Sequence, residues 1–149
     1  MSSVLDRLTI GWRPWALLTV LCVAVFLPGM VELPVLDRDE ARFAQATRQM
    51  LESGNFIDIR FQDDPRYQKP VGIYWLQALS VSLFSDAGST AIWPYRLVSA
   101  LGATATVLLT FGFGAALFGR RIALLGAALL ATSLVLIVEA HIAKTDAVM

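Results

Sequence analysis

The sequence predicts an all-α, polytopic integral membrane protein with three transmembrane helices. Of its 149 residues, 56% are hydrophobic and 16% are charged, with a mean hydropathy of +0.62. Soluble domains average about 45–50% apolar and about 25% charged residues. Three uncharged apolar runs reach the length that a membrane-spanning helix needs, which is about 17–25 residues. These runs cover residues 15–31, 97–118 and 122–138.

The charge balance and the rare metal-binding residue types exclude several classes of function. Twelve basic and 12 acidic residues cancel, so there is no basic excess that would favour nucleic acid as a partner. The single cysteine, Cys22, excludes an internal disulfide and a cysteine-rich zinc site. We expect Cys22 to pack as a small apolar side chain and His141 to be an ordinary interface residue.

The arginines beside the predicted spans indicate the orientation of the chain. Arg7 and Arg13 precede the first span, and Arg120 and Arg121 lie in a tight turn between the second and third spans. Because basic residues beside spans mark the cytoplasmic side, the N-terminus is predicted inside and residues 32–91 outside. Residues 1–149 then form part of one transmembrane domain. The first span could instead be a cleaved signal peptide, but no clean cleavage site follows it, which favours an uncleaved anchor.

The outer segment, residues 32–91, is predicted to contain two juxtamembrane helices. Asp37 as N-cap, Glu40 as its capping-box partner and Gly54 at the C-terminal end predict a helix over residues 37–54. The apolar stretch 71–84 is short for a span and is more typical of a buried or interfacial helix.

Three charged residues of the predicted outer face are candidates for chemistry. Helical periodicity places Asp39 on the apolar stripe of its helix, where a carboxylate is costly unless it is paired, ligated or catalytic. The alternative is that Asp39 caps the first turn or pairs with Arg42. Lys69 either extends along the membrane surface or meets an anionic ligand. With Asp146 at similar depth, two carboxylates and an amine could hold a divalent cation and a phosphate together.

Three motifs resemble a known family. They are Asp39-Glu40-Ala41-Arg42-Phe43-Ala44, Tyr67-Gln68-Lys69-Pro70 and Lys144-Thr145-Asp146. Together they resemble the N-terminal part of the polytopic lipid-phosphate-sugar glycosyltransferases of the GT-C superfamily. Within it, the sequence is most similar to the 4-amino-4-deoxy-L-arabinose lipid A transferases, which are akin to protein O-mannosyltransferases. The resemblance runs from about residue 36 to the end of the chain.

The resemblance implies a function and a set of site residues. It implies transfer of a sugar from a polyprenyl-phosphate donor, undecaprenyl phosphate in a bacterium, to a lipid A-like or protein acceptor at the outer face of the inner membrane. Asp39 matches the catalytic carboxylate, supported by Arg42 and Glu40, and Lys69 with Tyr67 matches the group that binds the donor phosphate. Asp146, with Asp39, matches the site of a divalent metal cation. Since the family has about a dozen spans, the chain is interpreted as an N-terminal fragment, inactive alone.

The sequence leaves two functions of other classes open. The chain could be a small non-enzymatic membrane protein or assembly subunit, because glycines and alanines in the second and third spans allow close helix contacts. A transporter would need ionisable groups deep within the spans. The middles of the three predicted spans contain none, which disfavours a transporter.

Overall fold

A computed structural model describes residues 9–35, 37–86 and 89–145. This part of the chain is mostly helical, as predicted, with one short antiparallel hairpin in which Arg60 pairs with Pro65. The elements in chain order are α1 (Arg13–Phe26), α2 (Arg38–Ser53), β1 (Arg60–Phe61), β2 (Asp64–Pro65), α3 (Val71–Phe84), α4 (Trp93–Phe118), α5 (Arg120–Ala131) and α6 (Leu134–Ala140).

Among the described helices, only α4 is by itself long and apolar enough to cross a membrane. Its 26 residues extend about 39 Å, which exceeds the roughly 30 Å of a bilayer's hydrocarbon core. The first predicted span, 15–31, overlaps α1, a helix of only 14 residues. Helix α1 stops at Phe26 because Pro28 and Gly29, whose φ is +83°, turn the chain away.

The third predicted span is divided into α5 and α6, which meet at a bend of 59°. The Thr132 hydroxyl donates back to the carbonyl of Ala128 at 3.0 Å, a contact that competes with regular helix geometry. Ser133 is then extended, with φ −69° and ψ 133°. Together the two helices are long and apolar enough for one broken span.

Contacts between helix ends define two opposite ends of the bundle. An Arg120 Nη donates to the carbonyl of Gly11 at 2.9 Å, so the tight turn before α5 lies beside the start of α1. At the other end, His141 Nε2 lies 2.8 Å from the carbonyl oxygen of Pro28. Arg13, Arg120 and Arg121, which indicate the cytoplasmic side, therefore lie at one end of the bundle, and α2 lies at the other. Arg7 lies outside the described residues.

Two apolar cores hold the helices together. The first joins α1, α4 and α5 and includes Cys22, which is fully buried as expected. The second packs α2 against α3 and the start of α4 through a group of apolar side chains: Phe43, Ala46, Met50, Ile59, Ile73, Tyr74, Ala78 and Val98. The second core fixes the outer segment onto the end of the bundle.

The predicted limits of α2 are confirmed. The Asp37 carboxylate accepts a hydrogen bond from the Asp39 N–H at 2.9 Å, as an N-cap does. Gly54 ends the helix with φ +68°, and its N–H donates to the carbonyl of Met50 at 3.0 Å. A left-handed residue at this position favours glycine because other side chains are strained there.

Candidate functional site

The buried face of α2 contains Glu40, not Asp39. Glu40 is fully buried with Phe43, Thr47 and Met50, whereas the Asp39 side chain is 52% exposed. The prediction that Asp39 lies on the inward stripe is therefore wrong. The capping-box role predicted for Glu40 is also wrong, because its carboxylate binds a distant arginine.

Arg96 in the first turn of α4 is the partner of Glu40. Its Nε and one Nη donate to the two carboxylate oxygens at 2.7 and 3.0 Å. The remaining donors reach the carbonyls of Met30, Leu33 and Pro34 at 3.0, 2.7 and 2.9 Å. Because a guanidinium has five N–H groups, Arg96 has no donor left for a substrate.

The Glu40–Arg96 pair connects four separate segments of the chain. Besides α2, α4 and the loop after α1, it binds the segment that follows α6, because Glu40 also accepts from the Ala143 N–H at 3.0 Å. Sequence reasoning missed Arg96. The available signal was an arginine one position before the apolar run at 97–118, at the end predicted to be non-cytoplasmic, where basic residues beside spans are less common.

Asp39 forms an ion pair with Arg42, which the sequence indicates as the alternative to a role in chemistry. Arg42 Nη lies 3.3 Å from the Asp39 carboxylate, and both side chains are partly exposed. Exposed pairs of this kind contribute about 0–1 kcal/mol to stability. The carboxylate therefore remains accessible from solvent while Arg42 orients it.

The segment that leads to Asp146 lies against the start of α2. Lys144 Nζ is 3.2 Å from the Asp37 carboxylate and 3.5 Å from that of Glu139. The hydrogen bond from the Asp39 N–H, followed by the contact with Lys144, lowers the pKa of Asp37 below its ordinary value. Asp146 itself lies outside the described residues.

Arg66 holds the second motif against α2. Its backbone N–H donates to the carbonyl of Ile59 at 2.8 Å, and its Nε donates to the Tyr74 hydroxyl at 3.0 Å. The guanidinium lies 5.1 Å from the centre of the Phe43 ring. Burial raises the pKa of Tyr74, so its hydroxyl stays protonated and neutral. These contacts place the start of the segment 66–70 directly beside the first motif.

The two motifs line one cleft. This open cleft has a volume of about 260 Å³ and is lined by Arg42 from the first motif, by Gln68 from the second, and by Phe61, Asp64, Pro65 and Arg66. The structure thus brings together residues that are far apart in the sequence. The sequence does not show that the two motifs are close in space, because their approach depends on the packing of Arg66 against Phe43 and Tyr74.

Tyr67 and Lys69 differ in their surroundings. The Tyr67 hydroxyl donates to the Asp58 carboxylate, which lowers the pKa of Asp58 and raises that of Tyr67. Lys69 is exposed and, within the described part of the chain, makes no ion pair, including none with Asp39. Its amine is therefore accessible to an anionic ligand.

Of the two predicted ligands of the divalent cation, Asp39 and Asp146, only Asp39 lies among the described residues. No group of three or more histidine, cysteine, aspartate or glutamate side chains among residues 9–35, 37–86 and 89–145 could hold a metal ion. Asp39 offers an exposed carboxylate of the type that Mg²⁺, Mn²⁺ and Ca²⁺ prefer.

Comparison with known proteins identifies relatives of the chain. A family model described as dolichyl-phosphate-mannose-protein mannosyltransferase matches residues 68–149, more than half of the chain. An undecaprenyl phosphate-alpha-4-amino-4-deoxy-L-arabinose arabinosyl transferase of Edwardsiella ictaluri is 37% identical over 101 residues, 68% of this chain. Proteins of the same name from Aeromonas hydrophila and Yersinia pestis are each 29% identical, over 72% and 66% of this chain.

The alignments cover only a small part of these relatives. They span 17%, 19% and 22% of the length of the Edwardsiella, Aeromonas and Yersinia proteins. No solved structure matches the chain significantly.

Proposed function

Because the chain belongs to the dolichyl-phosphate-mannose-protein mannosyltransferase family, we propose that it forms part of the active site of a membrane glycosyltransferase using a polyprenyl-phosphate-linked sugar. The observation that carries this proposal is the shared cleft between the Asp39–Arg42 motif and the segment that leads to Lys69. The relatives named as undecaprenyl-phosphate arabinosyl transferases support undecaprenyl phosphate as the carrier.

In the proposed reaction, an acceptor oxygen attacks the anomeric carbon of the sugar with inversion. The bond between that carbon and the phosphate oxygen breaks, and the carrier leaves with the electron pair. The Lys69 ammonium would stabilise the negative charge that develops on the departing phosphate. With a hydroxyl acceptor, the exposed Asp39 carboxylate would take up the proton, and Arg42 would hold that carboxylate in place.

A divalent cation remains part of the proposal, with Asp39 and Asp146 as its ligands. It would supply positive charge near the phosphate when bound. Tyr67 is proposed to assist in phosphate binding, which requires its hydroxyl to leave Asp58. Glu40 supports the site indirectly, since its carboxylate is fully used in binding Arg96 and the Ala143 N–H.

The proposed location is a bacterial inner membrane, with several spans, a cytoplasmic N-terminus and the site at the outer face. It is supported by the opposite placement of the Arg120 turn and α2 in the bundle. A lipid A-like molecule or a protein is the proposed acceptor. Lipids would cover the exposed apolar side chains of α3 and α4, which include Leu79, Leu83, Leu101 and Leu109.

Replacing Lys69 with alanine tests the proposed role of its amine. In the full-length protein, we expect Lys69→Ala to lower turnover of an undecaprenyl-phosphate-linked sugar by about 10²–10³-fold, because a positioned donor to developing charge is lost. Turnover is measured in proteoliposomes at saturating donor.

The matched control is Arg48→Ala, which removes an exposed cation of the same outer segment that pairs with Glu52. We expect it to leave turnover within about twofold, since surface pairs contribute little. Near-normal turnover of Lys69→Ala at normal expression would contradict the role of Lys69.

A further inference from the structure

Arg66 is a buried cation to which the described residues offer no counter-ion. The residue is only 9% exposed, and within the described part of the chain no carboxylate lies within 4 Å of its guanidinium. Its side-chain partners, the Phe43 ring and the Tyr74 hydroxyl, are both neutral. A guanidinium cannot shed its charge at physiological pH, and a buried charge is costly unless it is paired.

The donors that Arg66 leaves unused are those suited to an anion. Its Nε is bonded to Tyr74, whereas its two Nη nitrogens make no hydrogen bond to residues that the structure describes. The residue lines the cleft that Arg42 also lines. The paired N–H groups of an arginine match the oxygens of a phosphate in a two-point contact.

We propose that Arg66 and Arg42 form a binding site for a phosphate group in this cleft. Phe43 and Tyr74 hold the Arg66 guanidinium in place before the ligand arrives, so little conformational entropy is lost on binding. Gln68 offers a neutral amide at the same cleft. Arg42 would be shared between the ligand and Asp39, from which it lies 3.3 Å away.

One carboxylate opposes the proposed ligand. Asp64 lines the same cleft, and it forms no ion pair with Arg42 or Arg66. Its negative charge would repel a phosphate across the cleft. Removing that charge should therefore strengthen binding, which is an effect of opposite sign to the loss of Arg66.

The phosphate could belong to the polyprenyl donor or to a phosphorylated lipid acceptor. The choice between these two sources rests on the proposed function, whereas the binding of a phosphate does not. A binding measurement therefore separates the two proposals, because it requires no transfer of sugar.

The test uses the full-length protein in nanodiscs of phosphatidylcholine, a zwitterionic lipid. Binding of undecaprenyl phosphate, bisphosphorylated lipid A and inorganic phosphate is measured separately by native mass spectrometry or thermophoresis. For at least one of these three probes, we expect Arg66→Met to weaken binding at least about tenfold and Asp64→Asn to tighten it severalfold. A response with undecaprenyl phosphate or with lipid A identifies the source of the phosphate, whereas a response with inorganic phosphate alone identifies a site for free phosphate.

Arg48→Met is the matched control and should change none of the affinities, since Arg48 is not among the residues that line the cleft. Arg66→Lys, which keeps the charge but loses the two-point geometry, should give an intermediate affinity. If Arg66→Met does not fold, the affinities of Arg66→Lys and Asp64→Asn still test whether a phosphate binds in this cleft. Unchanged affinities for all three probes in the folded variants would overturn the proposal, whether or not the enzyme transfers sugar.

Discussion

Replacing Arg96 with methionine is expected to destabilise the protein strongly. The substitution removes five hydrogen bonds and leaves the Glu40 carboxylate buried with only the Ala143 N–H as partner among the described residues. Breaking a buried ion pair by removing one partner costs about 3–5 kcal/mol. We expect a large fall in the melting temperature of the full-length protein in detergent, measured by size-exclusion after heating.

A second substitution separates the buried charge from the lost packing. In Glu40→Gln/Arg96→Met no unpaired charge remains, so we expect a smaller loss than in Arg96→Met alone. The control Arg48→Met removes an exposed arginine of α2 and should cost less than about 1 kcal/mol. Equal melting temperatures for Arg96→Met and Arg48→Met would contradict a stabilising role of the Glu40–Arg96 pair.

Replacing Asp39 with asparagine is expected to have the largest effect on turnover. With a hydroxyl acceptor the proton needs a base, and a positioned base contributes about 10²–10⁴-fold. Asparagine keeps the shape of the side chain and an oxygen for Arg42, so the fold should be unaffected. With a phosphate acceptor, which is already anionic and needs no base, the same variant should lose less than with a hydroxyl acceptor, because only the contribution of Asp39 to the proposed metal site is removed. The two acceptor types are compared in one transfer assay.

Asp63→Asn is the matched control for this prediction. Asp63 is exposed in the turn of the hairpin, where its backbone carbonyl accepts from Arg60, and its side chain is absent from the cleft lining. We expect normal turnover with both acceptors. Full activity of Asp39→Asn with a hydroxyl acceptor would show that Asp39 is not the base.

The limits of α2 could be predicted from local signals, whereas the orientation of its buried face could not be predicted. Asp37 and Gly54 act within one turn of the helix ends, so their residue types suffice. The capping-box pattern assigns Glu40 to the N-terminal end of the helix, because its actual partner, Arg96, lies in another helix and leaves no local signal. The preference for Glu40 over Asp39 as the buried acid therefore depends on tertiary structure.

Hydropathy likewise predicted α4 and missed the break between α5 and α6. A mean over residues 122–138 does not detect the hydrogen bond from Thr132 to Ala128 or the extended backbone of Ser133. The cleft could be predicted only in part. Its two motifs are visible in the sequence, but Arg66 joins them through contacts with Phe43 and Tyr74 that no local pattern of the sequence indicates.

We expect both motifs to lie on the non-cytoplasmic side of the membrane, opposite the Arg120 turn. Single cysteines at Arg38, Gln68 and Arg120, in a full-length background without other reactive cysteines, test this placement with a membrane-impermeant maleimide on intact spheroplasts. We predict labelling at positions 38 and 68, and labelling at position 120 only after permeabilisation. Labelling of positions 68 and 120 from the same side of the membrane would contradict this placement.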